Sequence, residues 1–304
     1  MGKMMISIII PLYNKVKSIT QTLNCVMQQS YQDFEVVVVD DGSTDGSIDV
    51  VHKFLDERIR VVSKSNGGVS SARNVGIKEA KYNYIALLDA DDYWEPNYLE
   101  EQVQMITDFP QAAMWGMGWG YIDKEGCKTM QAHYTDTPNF RGYVDNHWNK
   151  AKKSNVFWSS SVVVKKEVFE KVGYFDERMA YSEDLDMWWR IILNYLVAFN
   201  SKILAFYRID AENRAMNKVI PLKHFLPFYI EKYTDYRLEN SDFRRFFDRF
   251  CISGVYPYLL SGTYKAEVKH ILSYIDLSEQ KFSVRFRVRF PKLFRKIYRF
   301  IDRK

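Results

Sequence analysis

Asp89, Asp91 and Asp92 close the apolar run in YIALLDADDYWEP, residues 84–96, and carboxylates this crowded repel one another. Two acids spaced by one residue at a strand end are placed to hold a hard divalent cation. The cation offsets their repulsion and takes phosphate oxygens on its other side. The same residues also read as an Asp-rich turn. A second group, VVVVDDGSTDGS, sets Asp40 and Asp41 after another apolar run. Either acid can accept hydrogen bonds from a nucleobase or ribose, or the stretch is a strand-to-helix turn capped by Ser43 or Thr44. In SNGGVSSARNVG, Gly67 and Gly68 allow close backbone approach to a ligand, the helix start that follows attracts phosphate, and Arg73 adds a planar cationic fork. A plain glycine turn is the alternative, and the stretch is neither GxGxxG nor a P-loop. YSEDLDMWWRII, residues 181–192, carries Glu183, Asp184 and Asp186 ahead of an apolar helical pattern. Acids there serve as dipole partners of the first turn, or as a general base facing a hydroxyl.

These residues need a scaffold, and the chain alternates strand and helix four times. Residues 5–10 read as a buried strand ended by Pro11, and 16–29 as a helix with Val16, Ile19, Leu23, Val26 and Met27 on one stripe. Residues 34–41 are a second buried strand, followed by a helix to about Leu55, a short strand from Arg58 to Ser63 and the helix after Gly68. Tyr82 to Leu88 is the next strand, and Pro96 opens a helix to about Thr107. Continuous rather than alternating apolar strands imply a mostly parallel sheet flanked by helices, an α/β fold whose ligands bind beyond the carboxyl ends of the strands. Asp40, Asp41, Asp89, Asp91 and Asp92 all follow strands and fall on that edge. Ile203 to Arg208 reads as a late strand of the same domain. Past about residue 215 the texture turns helical, with Phe243, Phe246, Phe247 and Phe250 at core-facing spacing. The expected domains are 1–215 and a helical region with a basic amphipathic tail, 216–304.

With 47% hydrophobic residues, the 304-residue chain can build a real core, so intrinsic disorder is excluded as its class. The net charge is +5, but Lys281 to Lys304 holds ten basic residues against Asp302 alone, leaving a mildly acidic body. After Pro291, Leu293, Phe294, Ile297, Tyr298 and Ile301 share a helical face, with Lys292, Arg295, Lys296, Arg299 and Arg303 around much of the rest. A basic, aromatic amphipathic helix is a membrane-surface signature, although a helix packed on the body with a solvated basic face has the same pattern. No nucleic-acid-binding motif accompanies the charge, so no nucleic-acid partner is expected. Cys25, Cys127 and Cys251 lie far apart without zinc spacing and fit a reducing compartment. ISIIIPLYN is too short for a signal peptide and no apolar run is long enough to span a bilayer, so a soluble or peripheral protein is expected.

Taken in order, SIIIPLYNK, VVVVDDGSTDGS, NGGVSSARNVGI, LLDADD and SEDLDMWWR resemble the family 2 glycosyltransferases, which carry the nucleotide-sugar-binding GT-A fold. The resemblance covers roughly residues 5–208. It implies a donor pocket with Pro11 and Tyr13 on the loop after the first strand, Asp40 contacting the base (usually uracil) with Asp41 beside it, and Gly67 and Arg73 nearby. It aligns Asp89 and Asp91 with the DxD motif that binds diphosphate through Mn2+ or Mg2+, and Asp184 with the catalytic base. Glu183, Trp158 and Ser159 fall on the acceptor side. Where the family often has a metal-binding His after Tyr-Arg, this chain has Tyr207, Arg208 and then Asp210: either Asp210 serves as an oxygen ligand in its place, or the metal is held by the DxD and the diphosphate alone.

The resemblance further implies an inverting, metal-dependent hexosyl- or N-acetylhexosaminyltransferase acting by a single displacement. Its donor would be a nucleotide sugar, a UDP-sugar first, and its acceptor a saccharide or lipid-linked saccharide. Bacterial surface polysaccharide synthesis at the inner face of the cytoplasmic membrane is the expected setting, with residues 282–304 touching the lipid and the bulk of the protein cytoplasmic. A non-catalytic nucleotide-sugar-binding or assembly subunit of the same fold is the alternative. A nucleotidyltransferase is disfavoured, because PLYNKVKS lacks the glycine-rich basic loop such enzymes carry after the first strand.

Overall fold

The computed structural model describes residues 3–130, 139–150, 156–212, 222 and 226–301. The chain divides into two compact units, one of Met1–Arg178 with Ser182–Lys218, the other of Met179–Tyr181 with Val219–Lys304.

The first unit opens with β1 (Ile6–Leu12), α1 (Ile19–Met27), β2 (Phe34–Asp40), α2 (Ser47–Val51), β3 (Ile59–Ser63), α3 (Val69–Glu79) and β4 (Tyr84–Leu87). β1 pairs in parallel with β2 and β4, and β2 with β3, as continuous apolar strands require. Every residue of β1 and β2 is buried, and the pleat sorts them onto two faces. Ile8, Ile10, Val36 and Val38 pack with Ile19, Leu23 and Val26 of α1. Ile9, Val37 and Val39 pack with Ala72 and Ile77 of α3. Burying each such side chain contributes about 1.5–3 kcal/mol, so two-sided coverage stabilises these strands far more than a half-exposed sheet would. α3 lies so close to the sheet that a Cβ on Gly76 would come within 2.2 Å of Ile9 Cγ2.

The rest of this unit is β5 (Tyr93–Trp94), α4 (Tyr98–Asp108), β6 (Met114–Ile122), β7 (Lys128–Met130), β8 (Arg141–Tyr143), α5 (His147–Lys150), β9 (Val162–Lys165), α6 (Lys166–Val172), α7 (Glu183–Asn194) and β10 (Val197–Arg208). The sheet runs β3-β2-β1-β4-β9-β6-β10-β5, with β7 on β6 and β8 on β10. β9 is antiparallel to both β4 and β6, whereas β10 is parallel to β6. The fold is thus α/β with a mostly parallel central sheet flanked by helices.

Several expected boundaries move. β1 does not stop at Pro11 but continues to Leu12, because β4 pairs with β1 only as far as Ile9 and the missing N–H falls where the ladder has one neighbour. Neither Ser43 nor Thr44 caps α2. The helix begins at Ser47, whose N–H donates to Asp45 Oδ1 at 2.9 Å, while the Thr44 N–H goes to Asn14 Oδ1 at 2.8 Å. α2 ends at Val51, short of Leu55, and α4 starts two residues after Pro96. The late strand is twice the expected length, since β10 begins at Val197.

The second unit is helical: α8 (Leu226–Glu239), α9 (Ser241–Ser261), α10 (Lys265–Ser273), α11 (Phe282–Arg289) and α12 (Pro291–Ile301). Phe243 and Phe247 are buried core residues packed on Tyr233, with ring centroids 5.5 and 5.9 Å away. Arg237 and Asp248 form a buried ion pair at 2.7 Å between α8 and α9. On α12, Phe294 packs on Tyr256, while Leu293, Lys292, Arg295 and Lys296 are exposed. The side chains of Ile297, Tyr298, Arg299 and Ile301, and Arg303 altogether, lie outside the described residues. No helix among the described residues is long and apolar enough to cross a membrane.

Candidate active site

The carboxyl ends of β1, β2 and β4 open onto a cavity of about 400 Å³, lined by Pro11 near the end of β1 and by Tyr13 and Lys15 of the first loop. Asp41, Asn66 and Gly68 line it from the second and third loops, Arg73 from α3, and Asp89 and Asp91 from the turn after β4. Glu183, the first residue of α7, and Tyr207, near the end of β10, complete the wall.

The DADD turn is pinned from four elements. Thr22 of α1 donates its hydroxyl to the carbonyls of Ala90 and Asp92, each at 3.0 Å. Ser160 accepts from the Asp89 N–H at 3.0 Å and donates to Asp92 Oδ2 at 2.6 Å. Arg208 of β10 reaches the Asp91 carbonyl through Nε at 3.2 Å, and its own N–H lies 3.3 Å from Asp92 Oδ1. Lys15 Nζ stands 2.6 Å from Asp91 Oδ2. Burial raises the pKa of Asp91, opposed by the Lys15 charge. Asp92 is buried outright, and burial followed by the charges of Asp91 and Asp89 drives its pKa well above the usual carboxylate range. It anchors the turn, while Asp89 and Asp91 reach the cavity.

Arg73 is 3% exposed and joins two parts of the wall. One amino group is 2.8 Å from Asp89 Oδ1 and the other 2.8 Å from Glu183 Oε1. Burial alone would lower its pKa; Asp89 and then Glu183 reverse that and hold it fully charged. Both amino groups are engaged with carboxylates, so Arg73 ties the DADD turn to the start of α7. Beyond Glu183 comes Asp184, whose carboxyl is pushed up to about 7 by burial and then by Glu183, with Arg73 opposing. A carboxylate near that value is matched to proton transfer at neutral pH. Asp186 is a structural partner: its carboxylate meets Arg190 at 2.8 Å one turn along the helix.

The other expected site residues fall in different places. Asp40 is buried and accepts the Ser43 N–H at 3.0 Å. Asp41 accepts the N–H groups of Gly67 at 2.9 Å and Gly68 at 2.8 Å and pairs with Lys64, so its carboxylate shapes the glycine loop. That loop needs glycine at 68, where φ is +88°. Gly67 is off the cavity wall, next to Gly68 on it. Trp158 and Ser159 are buried and also off this wall. Trp158 belongs to an aromatic cluster, 5.2 Å from Trp119 and 5.7 Å from Tyr207, and through Tyr207 that cluster meets the cavity. Asp210 is not brought to Asp89 and Asp91. It is exposed, and its carboxylate accepts the Lys124 N–H beyond β6.

Lys15 and Ser160 were missed in the sequence. Lys15 lies inside the SIIIPLYNK stretch, but a lysine four residues past a proline carries no local sign of an acid 76 positions away. Ser160 sits among three serines, Ser159 to Ser161, and its own hydroxyl partners, Asp89 and Asp92, come from a distant turn.

A mostly parallel sheet ending in acidic turns, with Asp184 on a helix behind them, defines an α/β fold of the GT-A type. Residues 7–173 match the family described as Glycosyl transferase family 2, and the chain belongs to that family. An uncharacterized glycosyltransferase of Rickettsia prowazekii is 27% identical over 242 residues, which are 76% of this chain and 73% of that protein. TuaG of Bacillus subtilis, named as a candidate glycosyltransferase of teichuronic acid biosynthesis, is 29% identical over 220 residues, 71% of this chain and 83% of its own. Among solved structures, S. aureus TarS 1-349 in complex with UDP-GlcNAc shares the fold with a TM-score of 0.73 at 20% identity, covering 89% of this chain and 80% of that one.

Proposed function

We propose that this chain transfers a hexosyl or N-acetylhexosaminyl group from a UDP-sugar to a hydroxyl of a saccharide or lipid-linked saccharide. The transfer inverts the anomeric carbon in one displacement and serves bacterial surface polysaccharide synthesis. The observation that carries this reading is the cavity wall with the residue behind it: Arg73 joins Asp89 of the DADD turn to Glu183, and Asp184, next to Glu183 on α7, has a carboxyl pushed up to about 7. UDP-GlcNAc in the TarS structure supports the choice of donor, and the TuaG name supports the pathway.

In this reading Asp184 takes the proton of the acceptor hydroxyl as its oxygen bonds to the anomeric carbon. The bond from that carbon to the diphosphate breaks on the opposite face. Arg73 keeps the DADD turn and α7 in register, and the aromatic cluster behind Tyr207 borders the acceptor. Asp91 with Asp89 offers the hard oxygen donors that Mn2+ or Mg2+ takes, and no group of three or more potential ligands converges among the described residues. Mg2+ characteristically uses one or two carboxylates and leaves the rest to phosphate and water, so this donor set fits. Bound there, the ion would neutralise charge on the leaving diphosphate. The test is binding of UDP, GDP, dTDP and CMP to the purified protein, each with and without Mn2+. UDP binding that needs metal is the expected result, and a folded protein that binds none of the four would overturn the reading.

The basic tail completes the proposal by holding the protein at the inner face of the cytoplasmic membrane. Exposed Lys292, Leu293, Arg295 and Lys296 support it, because each basic charge near anionic lipid adds about 1 kcal/mol. In flotation on vesicles containing anionic lipid, the full chain should rise and a chain ending at residue 281 should stay in the soluble fraction. Equal recovery of both in the soluble fraction would remove the tail as an anchor.

A further inference from the structure

We propose that Lys15 is a built-in cation that competes with the divalent metal for Asp91, so that the free protein holds its own metal site closed. The inference rests on the reading of Asp91 as a metal ligand. The Lys15 ammonium lies 2.6 Å from Asp91 Oδ2, and both side chains are only 13% exposed. The same ammonium donates to the backbone carbonyl of Glu212. One carboxylate oxygen and one carbonyl oxygen are the kinds of ligand a hard divalent cation also takes. A lysine ammonium carries three donors, and these two contacts account for two of them.

The placement is fixed by the backbone around it. The Lys15 N–H donates to Ser47 Oγ at 2.9 Å, and the Val16 N–H to Asp45 Oδ2 at 3.0 Å. The Glu212 carboxylate then takes the Lys17 N–H at 2.9 Å and the Ser18 hydroxyl at 2.6 Å. Lys15 therefore projects from a clamped loop, and the residue whose carbonyl it grips is held to that same loop.

A divalent ion and an ammonium cannot share Asp91 Oδ2 at contact distance without strong mutual repulsion. Metal entry requires Lys15 to leave. Lys15 lines the donor cavity, so a nucleoside diphosphate offers the displaced ammonium new anionic oxygens. Metal and donor would then bind cooperatively, and the metal alone would bind weakly.

The experiment titrates Mn2+ alone into the full-length protein, with free ion followed by electron paramagnetic resonance, for wild type, Lys15→Met, Lys15→Arg and Asp91→Ala. Lys15→Met should tighten Mn2+ binding by about tenfold or more. Lys15→Arg, which keeps the charge, should stay near wild type, and circular dichroism reports whether each variant folds. Mn2+ affinity in Lys15→Met equal to or below wild type, with Asp91→Ala still abolishing binding, would overturn the competition and leave the metal reading standing. Mn2+ binding that Asp91→Ala does not alter, or none in either the wild type or Lys15→Met, would overturn both.

Discussion

Asp184→Asn should lose sugar transfer by about 10²–10⁴-fold, the range typical for removing a general base, while binding of nucleotide donor stays near wild type. The substitution keeps the shape and the Leu185 N–H contact at 2.8 Å but removes the proton acceptor. The same carboxyl sets the pH profile. With its pKa pushed up to about 7, the basic form is the minority below that value, so kcat/KM should rise as pH increases through about 7 and level off above it. Rates measured between pH 5 and 9 check both claims. Near-normal turnover in Asp184→Asn would move the base to Glu183, which lines the cavity, because Asp186 is fully buried against Arg190.

The second large effect is expected at Asp91. Asp91→Ala should remove the metal-dependent part of nucleotide binding, a loss on the order of 100-fold for a charge-assisted contact of about 3 kcal/mol. Calorimetric titration of UDP with and without Mn2+ measures it. Asp92→Ala is a useful contrast, because Asp92 is buried against Ser160 and its removal should lower thermal stability along with binding. Unchanged UDP and Mn2+ binding in Asp91→Ala would withdraw the metal assignment.

The first half of the sheet was legible because its strands are unbroken apolar runs, and such runs are buried on both faces in a parallel sheet. The acids were legible because they follow those runs. β6 was not: MWGMGWGYI shows no clean period, and its glycines are required by neighbours far off in sequence. A Cβ on Gly116 would lie 2.5 Å from the Phe157 ring and one on Gly118 2.6 Å from the Ser201 carbonyl. Arg73 was named from its motif, but its two carboxylate partners, 16 and 110 residues away, carry no local sign, and they make it also a tie between the DADD turn and α7. Asp40 plays a local part, accepting the Ser43 amide three residues ahead, whereas Asp41 accepts the Gly67 and Gly68 amides 26 and 27 residues on, which local spacing does not encode. Lys15 and Ser160 act through contacts 76 and 68 residues long, which no local pattern encodes.

The DADD turn is anchored by Thr22, Ser160 and Arg208, residues spread over most of the first unit. This makes the motif poorly portable. Four residues grafted onto another parallel sheet would bring the acids without the hydroxyls and guanidinium that fix their carbonyls and shield Asp92. Drift at any one anchor would be felt at the others, so the turn and its distant supports are expected to change together, as a single inherited unit, when relatives of this chain diverge.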